Sequence, residues 1–150
     1  MIERKWVLKS WSDLNKDELY RLLALRVEVF VIEQDCPYQD LDGKDQVSYH
    51  FWCQDEQRKI LAYVRIVPPG ISYTYPAIGR VVTHEAHRKE GLGIQLMQRS
   101  MEETRKLFPN QKIKISAQQY LIKFYQKFGF ETTGEGYLED DIPHIAMITK

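Results

Sequence analysis

Cysteine is scarce in this 150-residue chain: Cys36 and Cys53 are the only two, enough for one bridge at most. That excludes a disulfide-stapled scaffold and makes free thiols in a reducing cytoplasm the expectation. Net charge is also lacking, since 21 Lys and Arg balance 21 Asp and Glu. Polyanion binding leans on a concentrated positive surface, so nucleic acid is not the expected partner, although a local basic patch for a small anion stays open. No apolar run approaches the roughly 18 residues of a membrane helix, so no membrane partner is expected either. The opening stretch, MIERKWVLKSW, holds neither the apolar segment nor the small-residue cleavage site of a secretory signal. Repeats, low-complexity tracts and linkers are missing too. What remains, 43% hydrophobic and 28% charged residues, is the composition of one globular domain over residues 1–150.

RKWVLKSW alternates weakly and reads as a first strand. Asn15 with Glu18 three positions on makes a capping box, and Leu19, Leu22, Leu23, Val27 and Phe30 recur at helical spacing, so a helix is expected over 16–31. EQDCPYQDLDGKDQ is too polar and turn-rich for a long element. VSYHFWCQ and KILAYVRIV are aromatic and β-branched runs that read as an antiparallel hairpin. PPGISYTYP must be a loop, because its prolines and glycine do not suit a paired central strand. AIGRVVT follows as a fourth strand, then a helix from Gly91 to Phe108 that buries Leu92, Leu96, Met97, Met101 and Leu107. KIKIS is a fifth strand, QQYLIKFYQKF a short helix closed by Gly129, and the tail two strands around a polar loop. The class is α/β, a mixed twisted sheet flanked by helices.

Within HRKEGLGIQL a strand, a short turn and a helix start come together with Arg88, Lys89, Gly91 and Gly93. The unpaired N–H groups of a helix start donate to phosphate oxygens, and glycine lets the ligand approach. The spacing matches neither the three-glycine dinucleotide fingerprint nor a P-loop. On spacing alone, an anion cradle and a plain glycine cap are equal readings.

The whole chain resembles the GNAT superfamily of acetyl-CoA-dependent N-acyltransferases, and within it the ElaA-type group. The superfamily's Arg-x-x-Gly-x-Gly stands here as Arg88, Gly91 and Gly93 after the strand IGRVVT. A second signature stands as Gln118, Tyr125, Gly129 and Phe130, and the ElaA-type pattern adds FVIEQDCPYQDLDGKD and YLEDDIPHIAM. The resemblance implies a single-domain GNAT-like fold with acetyl-CoA as cosubstrate and an amine as acceptor. It implies that the backbone around Arg88, Lys89, Glu90, Gly91, Leu92, Gly93 and Ile94 holds the diphosphate of coenzyme A. By the same resemblance the fourth strand splays from its neighbour, its edge at Val81, Val82 and Thr83 pairs with the pantetheine arm, and Gln118 and Tyr125 complete the cofactor site. Departures are Glu85 and His87, where many members have Pro and an aromatic, and Gly79, where numerous members carry a carboxylate that helps deprotonate the amine.

Acyl transfer to an amine needs closeness, a stabilised oxyanion and proton handling at both ends. The resemblance makes Tyr125 the general acid for the departing thiolate, with core packing as the alternative, and a backbone N–H on the fourth strand the oxyanion donor. With Gly79 in place of the carboxylate, Glu33 and His144 are the candidates for base or acceptor ligand; histidine is the side chain that titrates near neutrality. Against these stand a charged helix end for Glu33 and a packed edge for His144. Asp40, Asp42 and Asp45 read either as an acidic rim for a cationic amine or as a solvated loop. Arg80 and Arg65 read either as acceptor-carboxylate ligands or as structural ion pairs, since a buried charge is rarely unpaired.

HEAH at 84–87 is one residue short of the zinc helix motif, so no metal is expected. Cys36 reads as a small buried side chain. Tyr38, Tyr49, Trp52, Tyr63, Tyr73 and Tyr75 have too few basic neighbours for a nucleic-acid platform and read as core and cleft lining, with the SYTYP loop as a shaped lid. Two functions follow: an N-acetyltransferase acting on a small-molecule or protein amine, and a CoA-binding module of the same fold with little catalysis. Strand edges leave a homodimer open without a residue that argues for it.

Overall fold

The computed structural model describes residues 3–150. Its elements come in the expected order: β1 (Lys5–Ser10), α1 (Lys16–Arg26), β2 (Tyr49–Gln54), β3 (Ile60–Val67), β4 (Ala77–Thr83), α2 (Leu92–Leu107), β5 (Lys114–Gln118), α3 (Ile122–Gln126), β6 (Phe130–Glu139) and β7 (Ile142–Thr149). One seven-stranded sheet runs β1-β2-β3-β4-β5-β7-β6. Every neighbouring pair is antiparallel except β4 and β5. The sheet carries one apolar layer with α1, through Leu22, Leu25, Trp52 and Tyr63, and another with α2 and α3, through Leu92, Leu96, Met97, Tyr125 and Phe130. All eight residues of β3 are therefore buried, which is why KILAYVRIV lacks the alternation of a half-exposed strand.

α1 begins at the capping box, with the Asn15 side chain accepting from Glu18 N and the Glu18 carboxylate accepting from Asn15 N. Loss of such a cap costs about 1 kcal/mol. The helix does not stop at residue 31: it widens into a π-helical segment over Val27–Glu33. The wider turn rotates the apolar face, so Val29 is buried whereas Val27, expected inside, is exposed. It also leaves Arg26 fully buried at the junction.

Other differences are small. β5 lies two residues later than KIKIS, so Gln118 ends a strand where a helix start was expected. The short helix contracts to a single 3-10 turn, Gln119–Leu121, and α3. The polar tail loop contracts to Asp140 and Asp141, both with positive φ (50° and 62°), the geometry of a tight hairpin turn. Strand β6 consequently reaches Glu139, and its residues are exposed after Phe130.

Candidate active site

β4 and β5 meet at a single register point, Ala77 with Lys114, supported by the Lys114 N–H donating to Pro76 O at 3.0 Å. Beyond it they diverge, and the backbone of β4 from Ile78 onward has no partner on that side. The other side of β4 pairs with β3 and carries a bulge: the register passes from Arg65–Gly79 to Tyr63–Val82, so Arg80 and Val81 face Val64 alone. Arg80 has φ 51°, a left-handed conformation costing about 1–2 kcal/mol outside glycine. Its guanidinium is held by Asp40 Oδ1 (2.8 Å), Asp40 O (3.0 Å) and Asp42 Oδ2 (3.3 Å). The bulge interrupts the ladder at Arg80 and Val81, and both residues line a cleft.

That cleft has a volume of about 830 Å³. Val81, Val82, Thr83, Arg88 and Gly93 line one part, Gln118 and Tyr125 the wall, and Glu33 and His144 the remainder, so most sequence-level candidates converge on one space. Lys89, Glu90, Gly91, Leu92 and Ile94 are not in its lining. Leu92 is fully buried in the core, and Glu90 is engaged by Arg4 and His87, so these side chains are turned to other partners.

The path from β4 to α2 runs through a 3-10 turn, Glu85–Glu90, capped by the His84 ring, which accepts from Ala86 N. Gly91 then takes φ 74° and starts α2 with no side-chain cap, which leaves the first amides of the helix free for an anion. A Cβ at Gly91 would meet nothing within 4 Å, so its glycine serves backbone conformation and not clearance. At Gly93 a Cβ would lie 3.8 Å from Thr83 Oγ1 and 4.0 Å from Phe124 Cζ, at the cleft wall. Arg88 donates from Nε to Thr83 O (3.1 Å) and from its two Nη atoms to the Glu33 carboxylate (2.5 and 2.9 Å). Glu33 is thus an ion-pair partner of the turn.

Tyr125 is 7% exposed, set edge-on to Phe124 and Phe130. Burial, with a smaller contribution from Tyr120, pushes its phenol up to about 12, so it stays protonated throughout the neutral range. His144 is also 7% exposed; its Nδ1 donates to Ile142 O (2.7 Å) and its Nε2 lies 3.3 Å from Glu139 Oε2. The ring stacks on Tyr137, centroids 6.3 Å apart. Glu139 was not among the sequence candidates, because only the tight two-residue turn brings it back beside His144.

The three aspartates of the preceding loop correct the sequence expectation: they form neither a free acidic rim nor a solvated loop. Asp40 and Asp45 are buried and bind Arg26 at 2.9 and 2.8 Å; Asp42 and Asp45 bind Arg65 at 2.8 and 3.0 Å. Burial opposes ionisation of Asp42 and Asp45, but hydrogen bonds from Arg65 and Arg26 outweigh it and hold both carboxyls below the ordinary range. His50 joins the base of this network, its Nε2–H donating to Asp45 O (3.0 Å) and its Nδ1 accepting from Tyr63 OH (2.6 Å). Burial lowers its basicity, consistent with a neutral ring.

The acetyltransferase (GNAT) domain family matches residues 12–150. Protein ElaA of Escherichia coli is 43% identical over 151 residues, 98% of this chain and 95% of ElaA. The chain belongs to the GNAT acetyltransferase family. Solved structures agree with that membership. An acyl-CoA N-acyltransferase from Pseudomonas aeruginosa matches with TM-score 0.94 and 43% identity, covering 99% of this chain and 100% of the other. Escherichia coli ElaA matches with TM-score 0.90 and 40% identity over the full length of both. The single-domain GNAT fold read from the signatures is therefore the fold of this molecule, and its family is one that binds coenzyme A.

Proposed function

We propose that this GNAT protein transfers an acetyl group from acetyl-CoA to a primary amine by direct attack on the thioester. The observation that carries the reading is the opening between β4 and β5, which ends in the uncapped start of α2 and has Tyr125 on its wall. In this reading the free edge at Val81, Val82 and Thr83 pairs with the pantetheine arm, and main-chain amides from Lys89 to Ile94, with the Arg88 charge, hold the diphosphate. Gln118, at the end of β5, faces the same space. Amides at the Arg80–Val81 bulge are suited to the oxyanion. Tyr125 protonates the thiolate as it leaves. The base is supplied from outside β4, because Gly79 has no side chain and even a Cβ there would meet only open space. Glu33 is occupied by Arg88, so His144 is the better-placed candidate. Both cysteines are free thiols, in keeping with a reducing compartment.

Gly79 is also the observation that favours the second reading, a CoA-binding module with little turnover. Calorimetric titration with coenzyme A and acetyl-CoA, followed by thiol release over an amine panel, separates them. Binding with turnover supports the enzyme and binding without turnover the module; no binding removes both.

A further inference from the structure

The inference here rests on the acetyltransferase reading and concerns the acceptor. Arg65 and Arg80 line the cleft and are the natural receptors for a substrate carboxylate. Both are already matched. Arg65 Nη1 and Nη2 donate to Asp42 at 2.9 and 2.8 Å, and Arg80 is bound by Asp40 and Asp42. With Arg26 and Asp45 the set is three guanidinium groups against three carboxylates, neutral as a whole. Two of its donors make no hydrogen bond among the described residues, the buried Arg65 Nε and the Arg80 Nη1 at the cleft, but neither belongs to an unmatched charge. A carboxylate on the acceptor would meet no uncompensated positive charge in this network.

Glu139 is different. Its side chain is half exposed, it lines the cleft, and no Lys or Arg pairs with it among the described residues. Its neighbour is the buried ring of His144. Because the Ile142 carbonyl can only accept, His144 Nδ1 carries a proton, and Nε2 is left as the acceptor of the neutral ring. That atom faces Glu139 Oε2 at 3.3 Å. Two acceptors set against one another suit an N–H-bearing cation between them. Stacking on Tyr137 and the Gln119 side chain donating to His144 O (3.1 Å) fix the ring and its strand. Other charges on the cleft include Asp140 in the turn, Lys44, which donates to Ser72, and Arg88, which is paired with Glu33.

We infer that the acceptor is a cationic primary amine with no carboxylate beside it, docked on Glu139 and deprotonated by His144. The ammonium gives one proton to His144 Nε2. The free amine then forms its N–C bond to the thioester carbonyl carbon, and the C–S bond breaks with its electron pair leaving on sulfur. The thiolate takes the Tyr125 proton, the second proton lost by nitrogen restores Tyr125, and His144 returns the first to solvent. The products are one amide, one thiol and one proton.

The test compares 1,4-diaminobutane with glycine and alanine by thiol release from acetyl-CoA, with coenzyme A affinity measured separately by calorimetry. The diamine should show kcat/KM at least about ten-fold higher, the scale of one charge-assisted hydrogen bond. Glu139→Gln should raise KM for the diamine about ten-fold and leave coenzyme A affinity unchanged. His144→Gln should lower kcat and leave coenzyme A affinity unchanged. Amino acids acetylated as well as the diamine, an unchanged amine KM in Glu139→Gln, or cofactor binding without diamine turnover would each overturn this inference and leave cofactor binding standing. Loss of coenzyme A affinity in the unaltered protein would instead remove the reading beneath it.

Discussion

The Arg88 guanidinium grips the Glu33 carboxylate through two hydrogen bonds, 2.5 and 2.9 Å, joining the end of the π-helical segment to the turn before α2. Both side chains are about a third exposed, so the pair contributes at most about 1 kcal/mol by itself. Its importance lies in competition, since a diphosphate at this turn seeks the same donors. Glu33→Gln is therefore expected to tighten coenzyme A binding by up to about five-fold. Arg88→Gln should weaken it and flatten its salt dependence. Calorimetry at two ionic strengths measures both; weaker binding in Glu33→Gln would show that the carboxylate helps to hold the ligand.

The two glycines of the turn should fail in different ways. Gly91→Ala has room for its methyl group but must hold φ 74°, so a stability loss of about 1–2 kcal/mol is expected with coenzyme A affinity little changed. Gly93→Val puts branched bulk between Thr83 and Phe124, where affinity should fall with little loss of stability. Thermal melts and titrations of the two variants distinguish strain from obstruction.

Tyr125→Phe should lower kcat and leave coenzyme A affinity unchanged, because the ring keeps its packing against Phe124 and Phe130. In the unaltered protein the phenol is pushed up to about 12, above the unfolded value near 10. Its contribution to stability is therefore whole below pH ~10 and is lost as pH rises toward 12. Alkaline unfolding curves of the two proteins should diverge in that window; coincident curves would show that the phenol titrates normally.

The arginine–aspartate network predicts the acid side. Folded Asp42 and Asp45 have lowered pKa values, so the stability they supply is present above the unfolded value near 3.9 and is lost as pH falls below it. Asp45→Ala leaves Arg26 and Arg65 short of a shared buried partner and should cost about 3–5 kcal/mol in denaturant melts at neutral pH. A loss below about 1 kcal/mol would mean that water or Asp40 takes over the charge.

Most of this fold was visible in local signals. The Asn15–Glu18 box, the alternation of the strands and the Leu92, Leu96, Met97, Met101 stripe each arise within one or two turns of chain, and each is in place. The turn before α2 was visible for the same reason: Gly91, with its φ of 74°, and Gly93 lie within one turn of the helix start. Misread features depend on partners distant in sequence. Asp40 and Asp42 look like solvated loop residues until Arg80 and Arg65 reach them from the central strands. Arg26, buried where the turn widens, likewise finds its partners Asp40 and Asp45 only in a later loop. Glu139 was hidden by two residues of turn, since a longer loop would have carried it away from His144.

The single register point of Ala77 with Lys114 makes the sheet two ribbons, β1 to β4 and β5 with β7 and β6, joined at one corner like the blades of half-open shears. A guest presenting amide groups along its length would stitch those blades together and lend the host the rungs it was built without. Occupancy and rigidity then rise together, and amide exchange along 78–83 becomes a direct reading of both.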